Sequence, residues 1–261
     1  MEQQQTWRRE LPNYKQVAPE IEDLPFQARE AVNVLRGNIQ LSGANLKVIA
    51  ITSAVANEGK SSIAFRLTKS LAGLKKRTLY LDCDIRNSVT MSRYGMGGQV
   101  QGLTEYLCGA AAMNDIVYRT PDKYMDVILT GAVAPNPSEL VSGKLFTLLL
   151  DEMRKRYDYI IVDTPPINPV IDGTMIAKRC DGTVMVIESG QTDRMQAVRA
   201  KRQLEYAGIK LLGAVLNKVG AAKKGYGYGY GYGYGYGYGY GYGEKNQKRS
   251  GKKSDKKEAK D

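Results

Sequence analysis

Ten residues, Ser53-Ala54-Val55-Ala56-Asn57-Glu58-Gly59-Lys60-Ser61-Ser62, join a short apolar run to a segment with helical periodicity. In that setting a glycine lets the backbone approach an anion. Successive N–H groups and the helix N-terminus turn toward it, and a lysine and a hydroxyl complete the grip. The chemistry is phosphate binding. Asn57, Glu58, Gly59, Lys60, Ser61 and Ser62 form the nucleotide loop, with Lys60 directed at the β- and γ-phosphates and Ser61 at Mg2+. Ala54 stands where the pattern G-x-x-x-x-G-K-[ST] has its first glycine, and a Ser/Asn-rich turn capping an ordinary helix would look similar.

Other apolar runs end in charged groups. One delivers Asp82-Cys83-Asp84-Ile85-Arg86, another Asp163-Thr164-Pro165-Pro166, and the last ends at Asn217. Ligands of open α/β sheets bind at the carboxyl ends of the strands, so these endings converge on the loop. Asp84 and Asp163 then hold Mg2+, directly or through water. Position alone does not rank Asp82 against Asp84 as acceptor of a proton from an incoming hydroxyl. Arg86 is either an anion clamp or a salt bridge stiffening the site. The chain contains no histidine, so acid–base chemistry falls to carboxylates, lysine or tyrosine.

These endings require strands to carry them. Apolar runs at 46–52, 78–81, 125–129, 159–162, 183–187 and 211–216 read as buried parallel strands. Segments 26–41, 61–74, 145–156 and 195–206 carry helical patterns between them. The alternation predicts an α/β fold, a doubly wound, mostly parallel sheet of the P-loop NTPase type. Residues 1–24 read as a mobile N-terminal arm, 25–220 as one P-loop domain, and 221–261 as a disordered Gly-Tyr and Lys-rich tail.

Composition narrows the setting. The formal charge of +11 is concentrated in the tail, where ten Lys/Arg meet four Asp/Glu from Lys223 onward. Cys83, Cys108 and Cys180 have neither metal-site nor disulfide-framework spacing, which suits a reducing cytoplasm. No apolar stretch reaches 18 residues and the N-terminus has no apolar core, so neither a membrane span nor a secretory signal is expected.

The Asp82-x-Asp84-x-Arg86 element resembles the Walker A′ motif of the bacterial tyrosine kinases (BY-kinases) that regulate capsule and exopolysaccharide synthesis. Pro135-Asn136-Pro137-Ser138-Glu139-Leu140 is similar to that family's P-N-P-S-E-L segment. Glu30-x-x-Asn33-x-x-Arg36-x-Asn38-Ile39 resembles its ring-forming helix, with Asn33 in place of an arginine. In the loop, Ala56-Asn57 replace the usual Pro-Gly; asparagine tolerates a left-handed backbone best among the other residues.

The resemblance implies ATP and Mg2+ as cofactors and Asp82, Lys60 and Arg86 as catalytic residues. Asn217 becomes the reader of adenine, although a strand-end turn residue would also be an asparagine. Tyr226, Tyr228, Tyr230, Tyr232, Tyr234, Tyr236, Tyr238, Tyr240 and Tyr242, in strict alternation with glycine, become autophosphorylation sites. As a flexible coil, the 37 residues from Gly225 reach roughly 30–35 Å. Also implied are a separate transmembrane adaptor or activator of the polysaccharide co-polymerase type, a cognate tyrosine phosphatase, assembly into a homo-oligomeric ring and recruitment to the inner membrane face. No nucleic-acid partner is expected. The rival readings are a ParA/MinD-type partitioning ATPase, whose signature lysine would fall at Val55, and a nucleotide-binding scaffold without turnover.

Overall fold

The computed structural model describes residues 14–20, 22–96 and 100–220; the Gly-Tyr run with its nine tyrosines and the Lys-rich segment lie outside the described residues. The first half contains β1 (Lys15–Gln16), α1 (Phe26–Leu41), β2 (Val48–Ser53), α2 (Lys60–Gly73), β3 (Thr78–Asp82), α3 (Thr90–Arg93) and α4 (Leu103–Leu107). Then follow β4 (Val117–Arg119), β5 (Met125–Ile128), α5 (Pro137–Ser142), α6 (Lys144–Arg156), β6 (Tyr159–Asp163), α7 (Asp172–Ala177), β7 (Gly182–Glu188), α8 (Arg194–Tyr206) and β8 (Leu211–Asn217).

The strands form one eight-stranded sheet in the order β1-β4-β5-β3-β6-β2-β7-β8. Every neighbouring pair is parallel except β4 and β5. Parallel strands buried on both faces read as unbroken apolar runs, which is why the central strands were legible in the sequence. On one face Ile49, Ile51, Tyr80 and Ile161 meet Phe65 and Leu71 of α2, with Ile39 of α1 at the margin. On the other, Leu79, Leu81, Ile160 and Val162 lie under Phe146, Leu149, Leu150 and Met153 of α6. Ala50 and Met185 are covered by Ile167 and by Ala200 and Leu204 of α8. Helices therefore cover both faces, as a doubly wound sheet requires.

Two features differ from the sequence reading. β4 runs against its neighbour β5 at the sheet edge, and at three residues it is too short for a periodicity to show. Part of the segment read as a mobile arm is also built into the sheet. Lys15–Gln16 pairs with Tyr118–Arg119, and Tyr14 is buried with its hydroxyl 2.6 Å from Arg156 Nη1. A two-residue strand carries no sequence pattern, so only the partner reveals it.

Candidate active site

β2 ends at Ser53 and the chain turns through residues 54–59 into α2, whose N-cap is Gly59. Two loop residues adopt left-handed backbone, Asn57 at φ 67° and Gly59 at φ 92°. A Cβ on Gly59 would stand 2.2 Å from Asn217 Nδ2, so glycine is required by both conformation and space. Asn217 donates from that amide to the Glu58 carbonyl at 2.9 Å, and Lys218 Nζ donates to the Asn57 carbonyl at 2.9 Å. The end of β8 thereby holds the loop.

Register delivers the acids. β3 and β6 run side by side with Asp82 opposite Asp163, and Asp163 also pairs with Ile51 of the loop strand. Lys60 Nζ lies 2.8 Å from Asp84 Oδ2 in a nearly buried ion pair. Burial opposes the charge on Lys60, but Asp163, Asp84 and Asp82 outweigh it and hold its pKa above the ordinary lysine value. Asp163 is buried, and burial pushes its pKa up to about 7 against the pull of Lys60, with Asp82 and Asp84 adding repulsion. Its Oδ2 accepts from the Tyr80 hydroxyl at 3.0 Å, whereas Oδ1, equally buried, accepts no hydrogen bond. Asp82 is fully buried; Oδ1 accepts from the Asp84 N–H at 3.1 Å and Oδ2 from Ser88 Oγ at 2.6 Å. Burial raises its pKa although those bonds favour the charged form.

A cleft of about 600 Å³ opens over these groups, and Asn57, Gly59, Lys60, Ser61, Ser62, Asp84, Arg86 and Asn217 all line it. Asp82 and Asp163 are buried and are not among its lining residues. Glu58 is placed differently from the sequence reading, which put it on the nucleotide. Its carboxylate turns away from the cleft and accepts the N–H of Val55 at 2.8 Å, that of Glu188 at 3.3 Å and the Thr192 hydroxyl. It shapes the loop from behind.

Arg86 is a salt bridge in this structure. Its Nε lies 2.5 Å from Asp172 Oδ2, and Nη2 lies 3.3 Å from Ser138 Oγ, which also bonds Asp172. That bond to Asp172 raises the Arg86 pKa further. Ser138 belongs to the Pro135–Leu140 segment, whose place in the site is thus beside Arg86. Asp172 and Lys218 were missed by the sequence reading; each meets its partner through tertiary packing, and no local pattern marks it. Within the ring-helix resemblance, Asn33 and Arg36 face α2: Ser70 Oγ donates to Asn33 Oδ1 at 3.1 Å, and Arg36 Nη1 donates to Ser70 Oγ at 2.8 Å.

Comparisons with known proteins agree with this geometry. A family described as an AAA domain matches residues 46–193. The chain is 41% identical over 201 residues to the tyrosine-protein kinase CpsD of Streptococcus agalactiae, covering 77% of this chain and 88% of that one. The kinase domain of the Escherichia coli tyrosine kinase ETK superposes with a TM-score of 0.71 at 27% identity, over 87% of this chain and 91% of that one. The septum site-determining protein MinD of Pyrococcus horikoshii, complexed with Mg-ADP, shares the fold at TM-score 0.59 and 20% identity, over 68% of this chain and 72% of that one. A P-loop cleft backed by an Asp82-x-Asp84-x-Arg86 strand end, in a chain this similar to such kinases, places the protein in the family of bacterial tyrosine-protein kinases.

Proposed function

We propose that the chain transfers the γ-phosphoryl group of ATP to tyrosine hydroxyls, first those of its own tail from Tyr226 to Tyr242, and so regulates capsule or exopolysaccharide synthesis. The observation that carries the site assignment is the buried Asp163 Oδ1 without a partner, set among Ser61, Lys60 and Asp84 beneath the phosphate loop. An unsatisfied buried carboxylate oxygen beside a hydroxyl and a second carboxylate fits a hard divalent cation. Ser61, Asp84 and Asp163 would hold Mg2+, which supplies neutralisation of phosphate charge.

The protein's own groups do the rest. Lys60 exchanges Asp84 for the β- and γ-phosphates, and the N–H groups at the start of α2 face the same anions. Asn217, fixed by Glu58, stands at the cleft wall for the base. Asp82 is read as acceptor of the tyrosine proton on the family resemblance; here it lies buried beneath the cleft with both oxygens hydrogen-bonded. Arg86 positions Ser138 and Asp172 at the cleft edge. Full phosphorylation of the nine tail tyrosines would add roughly −13 to −18 charges, enough to reverse the tail's local excess of six. The unmodified basic tail then engages neighbouring subunits or an acidic partner, and the phosphorylated tail is released.

A separate transmembrane adaptor, a cognate phosphatase, ring assembly and recruitment to the inner membrane face belong to the same reading and rest on the family resemblance. Among the described residues no helix is long and apolar enough to cross a membrane. Phe26, Val34 and Leu41 leave α1 with exposed apolar surface suited to self-association. The test is incubation with ATP and Mg2+ followed by phosphotyrosine detection, a signal that Lys60→Met should abolish. ATP hydrolysis without phosphotyrosine would point to a partitioning ATPase instead.

A further inference from the structure

A second cavity, of about 380 Å³, lies in the seam between α1 and α2 and shares no lining residue with the nucleotide cleft. Its size falls within the range of small-molecule sites. Arg36 reaches across the seam, its Nη1 donating to the Ser70 carbonyl at 3.0 Å and to the Ser70 hydroxyl at 2.8 Å. Its Nε is shielded from solvent and has no acceptor. That nitrogen is packed against protein, so what Arg36 offers the cavity is the rest of its guanidinium group.

The rest of the lining defines the ligand's chemistry. Arg29, Arg66 and Lys69 join Arg36, and among the described residues none of these four cations has a carboxylate partner. Glu22 and Asp23 are the acids at the cavity, leaving an excess of two positive charges. That excess matches a dianion, and a cluster of guanidinium and ammonium groups is a setting that phosphate oxygens satisfy. Val32, Leu24 and Leu74 supply an apolar part of the same wall. A cationic side joined to an apolar side suits an aromatic ring carrying a phosphate.

We propose that the α1–α2 cavity binds an aryl phosphomonoester, in this chain's chemistry a phosphotyrosine side chain, with the ring against Val32 and Leu74 and the phosphate on Arg36, Arg66 and Lys69. The tail of this chain and a phosphotyrosine of another protein present the same group. Only the first source rests on the autophosphorylation reading, and binding of an added aryl phosphate does not depend on it.

The experiment uses the full-length chain, dephosphorylated and saturated with ADP and Mg2+ so that the phosphate loop is blocked. Phenyl phosphate and inorganic phosphate are titrated by calorimetry or ligand-observed NMR. Phenyl phosphate is expected to bind at least ~10-fold more tightly than inorganic phosphate, and the double variant Arg66→Gln/Lys69→Gln to lose ~10-fold of that affinity. Arg36→Gln should lose more, and the surface double variant keeps the test decisive if Arg36→Gln fails to fold. Absence of binding, equal affinity for the two phosphates, or an unchanged double variant would each overturn the proposal. A Gly-Tyr peptide carrying one phosphotyrosine should bind at least as tightly as phenyl phosphate; weaker binding removes the chain's own tail as the source.

Discussion

Asp163→Asn should make the protein more stable while abolishing its activity. The carboxyl group is buried, and its pKa rises from the ordinary 3.8 to about 7 because burial outweighs the attraction of Lys60. One pKa unit corresponds to 1.36 kcal/mol, so holding Asp163 ionised at pH 8 costs the fold about 4 kcal/mol. The sign follows from the direction of the shift. With the folded pKa above the unfolded one, the stability Asp163 contributes is complete below about 3.8 and is lost as pH rises to about 7. Asparagine retains an acceptor for the Tyr80 hydroxyl and never acquires the charge. The variant should therefore exceed the wild type by up to about 4 kcal/mol at pH 8, or roughly 8–16 °C in Tm for a domain of this size, with the gap closing toward pH 4. The assay is denaturant or thermal unfolding of chelator-treated, nucleotide-free protein across that pH range. Mg2+ added to the wild type should recover part of the difference at pH 8 and little at pH 4.5. A variant no more stable than wild type at pH 8, or a gap independent of pH, would refute the account of Asp163 as an under-compensated charge.

Gly59→Ala forces a Cβ to within 2.2 Å of the Asn217 amide at φ 92°, so a loss of about 1–3 kcal/mol and a raised KM for ATP are expected. Adding Asn217→Gly should recover only the steric part, which ATP titration of the double variant measures. Arg86→Gln leaves the buried Asp172 with only Ser138 for a partner and should cost about 1–3 kcal/mol in denaturant unfolding. Adding Asp172→Asn should restore stability; an anion clamp would instead show a KM defect that the second change does not repair. Asp82→Asn should lower kcat about 10²–10⁴-fold with KM for ATP held, whereas Asp84→Asn should raise the Mg2+ requirement, and steady-state kinetics against ATP and Mg2+ separates the two.

The central strands and long helices were readable because parallel strands buried on both faces and amphipathic helices leave distinct periods in the sequence. Helix 26–41 coincides with its expected limits, and the runs ending at Asp82 and Asp163 stop where the chemistry begins. The antiparallel edge escaped because Lys15–Gln16 and Val117–Arg119 are shorter than any period. In the site, residue types were visible but directions were not. The partner of Arg86 lies 86 residues away in Asp172, and nothing local to either residue marks the pair. The depth of Asp82 relative to Asp84 is likewise a tertiary fact, set by the Ser88 hydrogen bond and by burial.

Glu58 shows how the loop works without its usual glycine. Asn57 and Gly59 are the only loop residues with positive φ, so Ala54 and Ala56 impose no left-handed strain. What remains is to hold the turn in shape, and a buried carboxylate does so: Oε2 accepts from the Val55 N–H, and Oε1 from the Glu188 N–H and the Thr192 hydroxyl. Both oxygens act only as acceptors, so Glu58→Gln must set an amide N–H2 against a donor whichever way it flips. The expected cost is about 1–3 kcal/mol, felt mainly as a loosened loop. ATP affinity should fall although Lys60, Ser61, Asp82, Asp84 and Asp163 are untouched, and nucleotide-titrated fluorescence on the variant measures the loss. Wild-type affinity in Glu58→Gln would return the burden of loop shape to the backbone, and would leave the tolerance of Ala54 at the glycine position to be found elsewhere than in this carboxylate.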